Sequence, residues 1–298
     1  MKWRGRTSSG RIEDRRGSGG GLGGGLPFPL PMGKAGGGGL GLIILLVVYL
    51  LAGGLPGGGG GLGVDPGTGQ LPQAPPSSGT AVDDVPTDDP GKFVDVVSGE
   101  IDATWRKIFA ESGKSYEQPT VVLFDNAVQT ACGNAPSSVG PFYCPGDRKV
   151  YLDLTFLEQL QQQLGAQGDF ARAYVIAHEF GHHVQNLLGV MDDVDLARQE
   201  NPDDANELSV RLELQADCLA GVWAHSANAQ GNFLEPGDIE EGLTAAAAVG
   251  DDRIQRQQGG AVNPDSFTHG TGEQRVKWFR AGFDGGDPTA CDTFKGDV

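Results

Sequence analysis

His178-Glu179-Phe180-Gly181-His182 lies inside a helical stretch, and its spacing decides how the rest of the chain is read. Four residues are little more than one α-helical turn, so the two imidazoles stack on one face, where both can reach one metal ion at about 2.0 to 2.1 Å. Glu179, one residue after the first His, comes beside that ion without binding it and can take the proton from an attacking water. The helix is punctuated at both ends, with Asp169 as its expected N-cap and Gly189 as its C-terminal stop. In a chain with five histidines, a chance match to this pattern has a likelihood under about one in a hundred. The competing reading is a buried helix whose histidines are satisfied core residues.

A catalytic zinc needs a third protein ligand and an open fourth position. The next strong helix carries Arg211-Leu212-Glu213-Leu214-Gln215-Ala216-Asp217, in which Glu213 and Asp217 share a face by the same four-residue spacing. Glu213 is the expected third ligand, and Asp217 the carboxylate that accepts the free N–H of a ligating His and fixes its tautomer. The alternative for such a pair is a solvated acidic face. Leu212, Leu214, Ala216, Leu219, Ala220 and Trp223 around it make a buried helix the better reading, and unpaired buried charge is costly. Two imidazoles and one carboxylate suit zinc above other divalent ions.

His178 to His182, with Glu213-Leu214-Gln215-Ala216-Asp217-Cys218, resembles the Glu-zincin arrangement, most closely the putative neutral zinc metallopeptidase family of bacterial membrane-anchored proteins. The resemblance covers about residues 93 to 295. It extends to Gly140-Pro141-Phe142-Tyr143-Cys144-Pro145 and to Thr268-His269-Gly270 followed by Arg275. It implies an α+β, zincin-like catalytic domain: a small mixed sheet with a substrate strand at its edge, an active-site helix and a helical C-terminal half. A peptide or protein substrate follows by the same implication. His269 resembles a C-terminal element of related peptidases, which implies a hydrogen bond donated to the developing oxyanion. The alternative for a lone His ahead of a helix is a structural contact. His183 turns about 100° away from the ligand face and reads as structural.

Before the domain the composition changes. Residues 1 to 34 hold seven Lys and Arg against two acidic residues, a net +5, which leaves −22 on the rest of a chain whose total is −17. So acidic a body argues against nucleic acid as a partner. Residues 35 to 55 are uncharged, and 21 residues at 1.5 Å rise would just cross the ~30 Å hydrocarbon layer. The expected organisation is a disordered basic Gly-rich cytoplasmic segment (1–34), one transmembrane anchor (35–55), a flexible Gly- and Pro-rich linker (56–92) and an extracytoplasmic zinc metallopeptidase domain (93–298). A cleaved signal peptide, with Ala52 and Gly54 at its cleavage site, is the competing reading.

Four cysteines in an exported chain are consistent with two disulfides, for which three pairings exist. The short Gly-, Pro- and Ser-rich span from Cys132 to Cys144 is the natural loop to staple, leaving Cys218 for Cys291. Apolar periodicity predicts a helix over Phe93 to Glu111, strands at Thr120 to Phe124 and Lys149 to Asp153, and helices near 154–164, 170–188, 203–228, 236–249 and 272–282.

Overall fold

Phe93, Val97, Ile101 and Trp105 recur every four residues and are all buried, so this stripe folds as helix α1, Asp89–Glu111, against the core. The computed structural model describes residues 1–6, 10–17, 86, 88–157, 168–230, 233–257, 259 and 261–298. Helix α1 starts earlier than Phe93 because Asp88 caps it, its side chain accepting from the Gly91 amide at 2.7 Å. The linker reading therefore fails for residues 88–92. The rest of that linker lies almost wholly outside the described residues, as do the anchor at 35–55 and the second half of the helix expected at 154–164. Among the described residues no helix is long and apolar enough to cross a membrane.

Two runs form strands as expected, β2 (Thr120–Phe124) and β6 (Lys149–Asp153). They pair in parallel, with Thr120 opposite Lys149 and Phe124 opposite Asp153. The nearly continuous apolar run of β2 fits a strand covered on both faces. Two strands were not anticipated beside them. β5, Phe142–Cys144, joins the far side of β6 antiparallel, and β1, Ile12–Asp14, joins β2 in parallel. The sheet order is β1-β2-β6-β5, a small mixed sheet in an α+β molecule. A hairpin of β3, Ala127–Thr130, and β4, Gly133–Pro136, fills the cysteine loop, which Cys132–Cys144 closes.

The expectation of a structureless residue 1–34 segment is corrected for residues 1–6 and 10–17. Met1, Trp3 and Ile12 belong to the main apolar core, and Trp3 stands edge-on to Phe93 with ring centroids 5.4 Å apart. The Met1 ammonium lies among Asp169 at 2.8 Å, Glu235 at 3.1 Å and Asp238 at 3.3 Å. Asp169 is accordingly not the N-cap: Gly168 holds that place, and Asp169 opens the helix and binds this ammonium.

The helical half comprises α2 (Asp169–Leu188), α3 (Val190–Glu200), α4 (Ala205–Ala229), α5 (Asp238–Ala248), α6 (Asp251–Gln257) and α7 (Gly272–Gly285). Helix α2 packs on β5, β6, α4 and α5. Gly189, left-handed at φ 80°, stops α2 as predicted. Helices α4 and α7 approach closely because Gly282 and Gly221 leave room: a Cβ on Gly282 would lie 1.9 Å from the Cys218 carbonyl oxygen. Cys218–Cys291 ties α4 to the C-terminal segment, so both predicted pairings are present. Stable disulfides belong to oxidising compartments.

Candidate metal centre

Helix α2 supplies His178, Glu179 and His182, and α4 supplies Glu213 and Asp217; the depth of contact between the two helices decides whether they converge. Gly181 sets that depth. A Cβ there would meet the Ala216 carbonyl oxygen at 2.9 Å and its Cα at 3.0 Å, so glycine lets the backbones come together one turn from Glu213. One ligand atom each from His178, His182 and Glu213 then lies within 4.8 Å of the others. Glu213 Oε2 is 3.1 Å from His178 Nε2, and its Oε1 is 3.4 Å from His182 Nε2. Two imidazole nitrogens and a carboxylate oxygen this close together could hold a metal ion, and such a donor set suits zinc.

The other nitrogen of each imidazole is held. His178 Nδ1 lies 2.9 Å from Asp217 Oδ1, within hydrogen-bond distance of that carboxylate. Asp217 is fully buried, and Arg275 forks onto it, Nε to Oδ2 at 2.8 Å and Nη2 to Oδ1 at 3.0 Å, while the Tyr174 hydroxyl donates to Oδ1 at 2.5 Å. Burial alone would raise the Asp217 pKa, but Arg275 and His178 outweigh it and hold the carboxylate ionised. His182 Nδ1 faces Gln185 Oε1 at 2.8 Å, and Gln185 is itself fixed through its Nε2 to the Leu212 carbonyl at 2.7 Å and Gln215 Oε1 at 3.0 Å. Such outer partners fix ring orientation and ligand basicity.

Glu179 is 7% exposed and stands outside the converging ligand set. Burial raises its pKa, opposed by the charges of His182 and His178. His269, in the loop before α7, reaches the neighbourhood of Glu213. Burial would lower its pKa, but the carboxylates of Glu213 and Asp251 raise it overall. Asp251 also organises that loop: its Oδ2 accepts the amides of Thr268 at 2.7 Å, His269 at 2.7 Å and Gly270 at 3.1 Å.

His183 points away from the ligands, as expected. Its Nε2 donates to the Glu117 carbonyl at 2.7 Å, its Nδ1 accepts from the Tyr143 hydroxyl at 3.1 Å, and burial pushes its pKa down to about 4.

Sequence reading missed Tyr174, Gln185 and Asp251. Tyr174 lies four residues before His178 and Gln185 three after His182, so helical spacing carried a signal for both. Nothing local marks Asp251, whose partners lie 17 to 19 residues away.

The family described as "Putative neutral zinc metallopeptidase" matches residues 1–294, a longer span than the 93–295 of the motif resemblance. The "Uncharacterized protein YpfJ" of Escherichia coli (strain K12) is 48% identical over 298 residues, covering 99% of each chain. The "Uncharacterized protein Rv2575" of Mycobacterium tuberculosis (strain ATCC 25618 / H37Rv) is 48% identical over 204 residues, 65% of this chain and 67% of its own. No solved structure matches the chain.

Proposed function

Since this chain belongs to the putative neutral zinc metallopeptidase family, we propose that it hydrolyses peptide bonds at a zinc ion held by His178, His182 and Glu213. The observation that carries this reading is the convergence of those three ligand atoms within 4.8 Å, beside a buried carboxylate that is not one of them. Zinc so held supplies Lewis acidity, which acidifies water to a pKa near about 7 and polarises a carbonyl.

The chain's own residues do the rest. Glu179 accepts the attacking water's proton on its carboxylate and returns it to the nitrogen of the departing amine. Asp217 keeps the proton of His178 on Nδ1, so that Nε2 presents its lone pair to the metal side. Gln185 does the corresponding work at His182. His269, steadied by Asp251, donates to the oxygen that gains charge as the carbonyl becomes tetrahedral. The two disulfides favour an extracytoplasmic domain, and the apolar stretch at 35–55 favours attachment to a membrane.

Metal content by elemental analysis of the purified protein tests the ligand set. Wild type is expected to hold about one zinc per chain and the Glu213→Ala variant a small fraction of that. Undiminished zinc in the variant would remove Glu213 from the site. Hydrolysis of peptides against a panel of esters and simple amides then separates a peptidase from a hydrolase of other acyl substrates.

The His269 assignment has its own test. His269→Ala is expected to keep its zinc and lose roughly 10²- to 10³-fold in kcat, the cost of removing one oxyanion donor. Unchanged kcat would make His269 a structural contact.

A further inference from the structure

We infer that residues 1–6 and 10–17 lie on the same side of the membrane as the metal centre, because they form a folded part of its domain and not a basic tail across a bilayer from it. The backbone shows this first. β1 pairs with β2 through Ile12 opposite Val121, Glu13 opposite Val122 and Asp14 opposite Leu123. The pairing is bracketed by hydrogen bonds from the Val121 amide to the Arg11 carbonyl and from the Arg15 amide to the Leu123 carbonyl, both 2.8 Å. The Lys2 amide is bound 2.8 Å from the Phe233 carbonyl, on the segment that precedes α5. Trp3 is 6% and Ile12 2% exposed, inside the core that also holds Phe170 and Trp223.

The basic residues, which suggest a cytoplasmic segment when read as sequence, have another use. Arg6 bonds Glu100, Arg16 bonds Asp14 and Asp88, and Arg4 lies 3.7 Å from Asp89. Glu13 pairs with Arg15 at 2.7 Å and reaches over to Lys149 at 2.7 Å. Part of the +5 of the N-terminal segment thus complements the acidic domain. A positive-inside signal and an ion-pair partner have the same composition, and only the fold tells them apart.

Topology completes the argument. Arg16 Nη1 lies 2.7 Å from Asp88 Oδ2, so residues 16 and 88 meet at one place on the domain. A chain that leaves and returns on one side meets a bilayer an even number of times or not at all, which excludes a single crossing between. The sequence agrees: the glycine-free apolar run, Leu42 to Ala52, is 11 residues long. A membrane-spanning helix takes ~20 predominantly apolar residues. The family match also begins at residue 1, ahead of the apolar run.

Cysteine labelling of the full chain in cells tests this. All four native cysteines are paired, so an introduced one is the single free thiol. Arg4 and Lys107 have exposed side chains, 73% and 76%, one on the N-terminal segment and one on α1. Arg4→Cys and Lys107→Cys variants are treated with a membrane-impermeant maleimide in intact spheroplasts, then after lysis, with labelling in denaturant as the full-reaction reference. Both variants are expected to label equally before lysis. Equal labelling only after lysis keeps the shared side and moves the domain to the cytoplasm, overturning the extracytoplasmic placement alone. Lys107→Cys labelled in intact spheroplasts and Arg4→Cys only after lysis is the single-crossing pattern, and it overturns the inference. Neither result depends on whether the metal centre hydrolyses peptides.

Discussion

Glu179→Gln is expected to lower kcat on a peptide substrate by roughly 10²- to 10⁴-fold while leaving zinc content unchanged. Glutamine keeps the volume and the packing of a side chain that is 7% exposed, so the helix and its neighbours have no reason to move. What it loses is the ability to accept a proton. Burial raises the pKa of the Glu179 carboxylate, and the charges of the two imidazoles oppose that shift. The ligand atoms that converge come from His178, His182 and Glu213, which is why zinc should stay when Glu179 changes. Elemental analysis alongside kcat and KM on a fluorogenic peptide separates the possibilities. Turnover retained with full zinc would assign the base elsewhere, and zinc lost together with turnover would make Glu179 a ligand.

How far the sequence discloses this site depends on how local each relation is. His178 and His182, like Glu213 and Asp217, are pairs one helical turn apart, so the 3.6-residue period alone puts each pair on a face. That the two faces meet rests on Gly181, whose missing Cβ admits Ala216, and a single glycine inside a helix does not announce its neighbour. Arg275 is the clearest case of tertiary information. It lies 58 residues from Asp217 and was visible only by resemblance, yet its guanidinium closes the network behind His178. The same limit explains the N-terminal segment. Trp3 and Ile12 are isolated apolar residues among Gly, Arg and Ser, and β1 is three residues long, too short for an alternating pattern. Its partner strand begins more than 100 residues later, so composition pointed to disorder where pairing at a distance gives order.

Asp217→Asn is expected to have two separable effects, because this carboxylate serves the metal side through His178 and the interior through Arg275. Arg275 is 4% exposed, and removing the charge opposite it leaves a buried guanidinium uncompensated, which costs about 3 to 5 kcal/mol of unfolding free energy. This loss is measured by denaturant unfolding of the zinc-free protein, where metal affinity cannot contribute. Zinc affinity is expected to fall a further 10- to 100-fold, since His178 loses the anionic acceptor that orients its ring. A double variant, Asp217→Asn with Arg275→Met, separates the two effects. With the unpaired cation gone, it should regain much of the stability but none of the zinc affinity. The pH dependence follows the same pair. Asp217 has a folded pKa held below its ordinary 3.8, so its contribution is complete above that value and is lost as the pH falls through the depressed one. In the Asp217→Asn variant that part of the acid sensitivity should disappear. Equal stability of wild type and the single variant in the zinc-free state would show that Arg275 finds its compensation elsewhere and that Asp217 acts on the metal site alone.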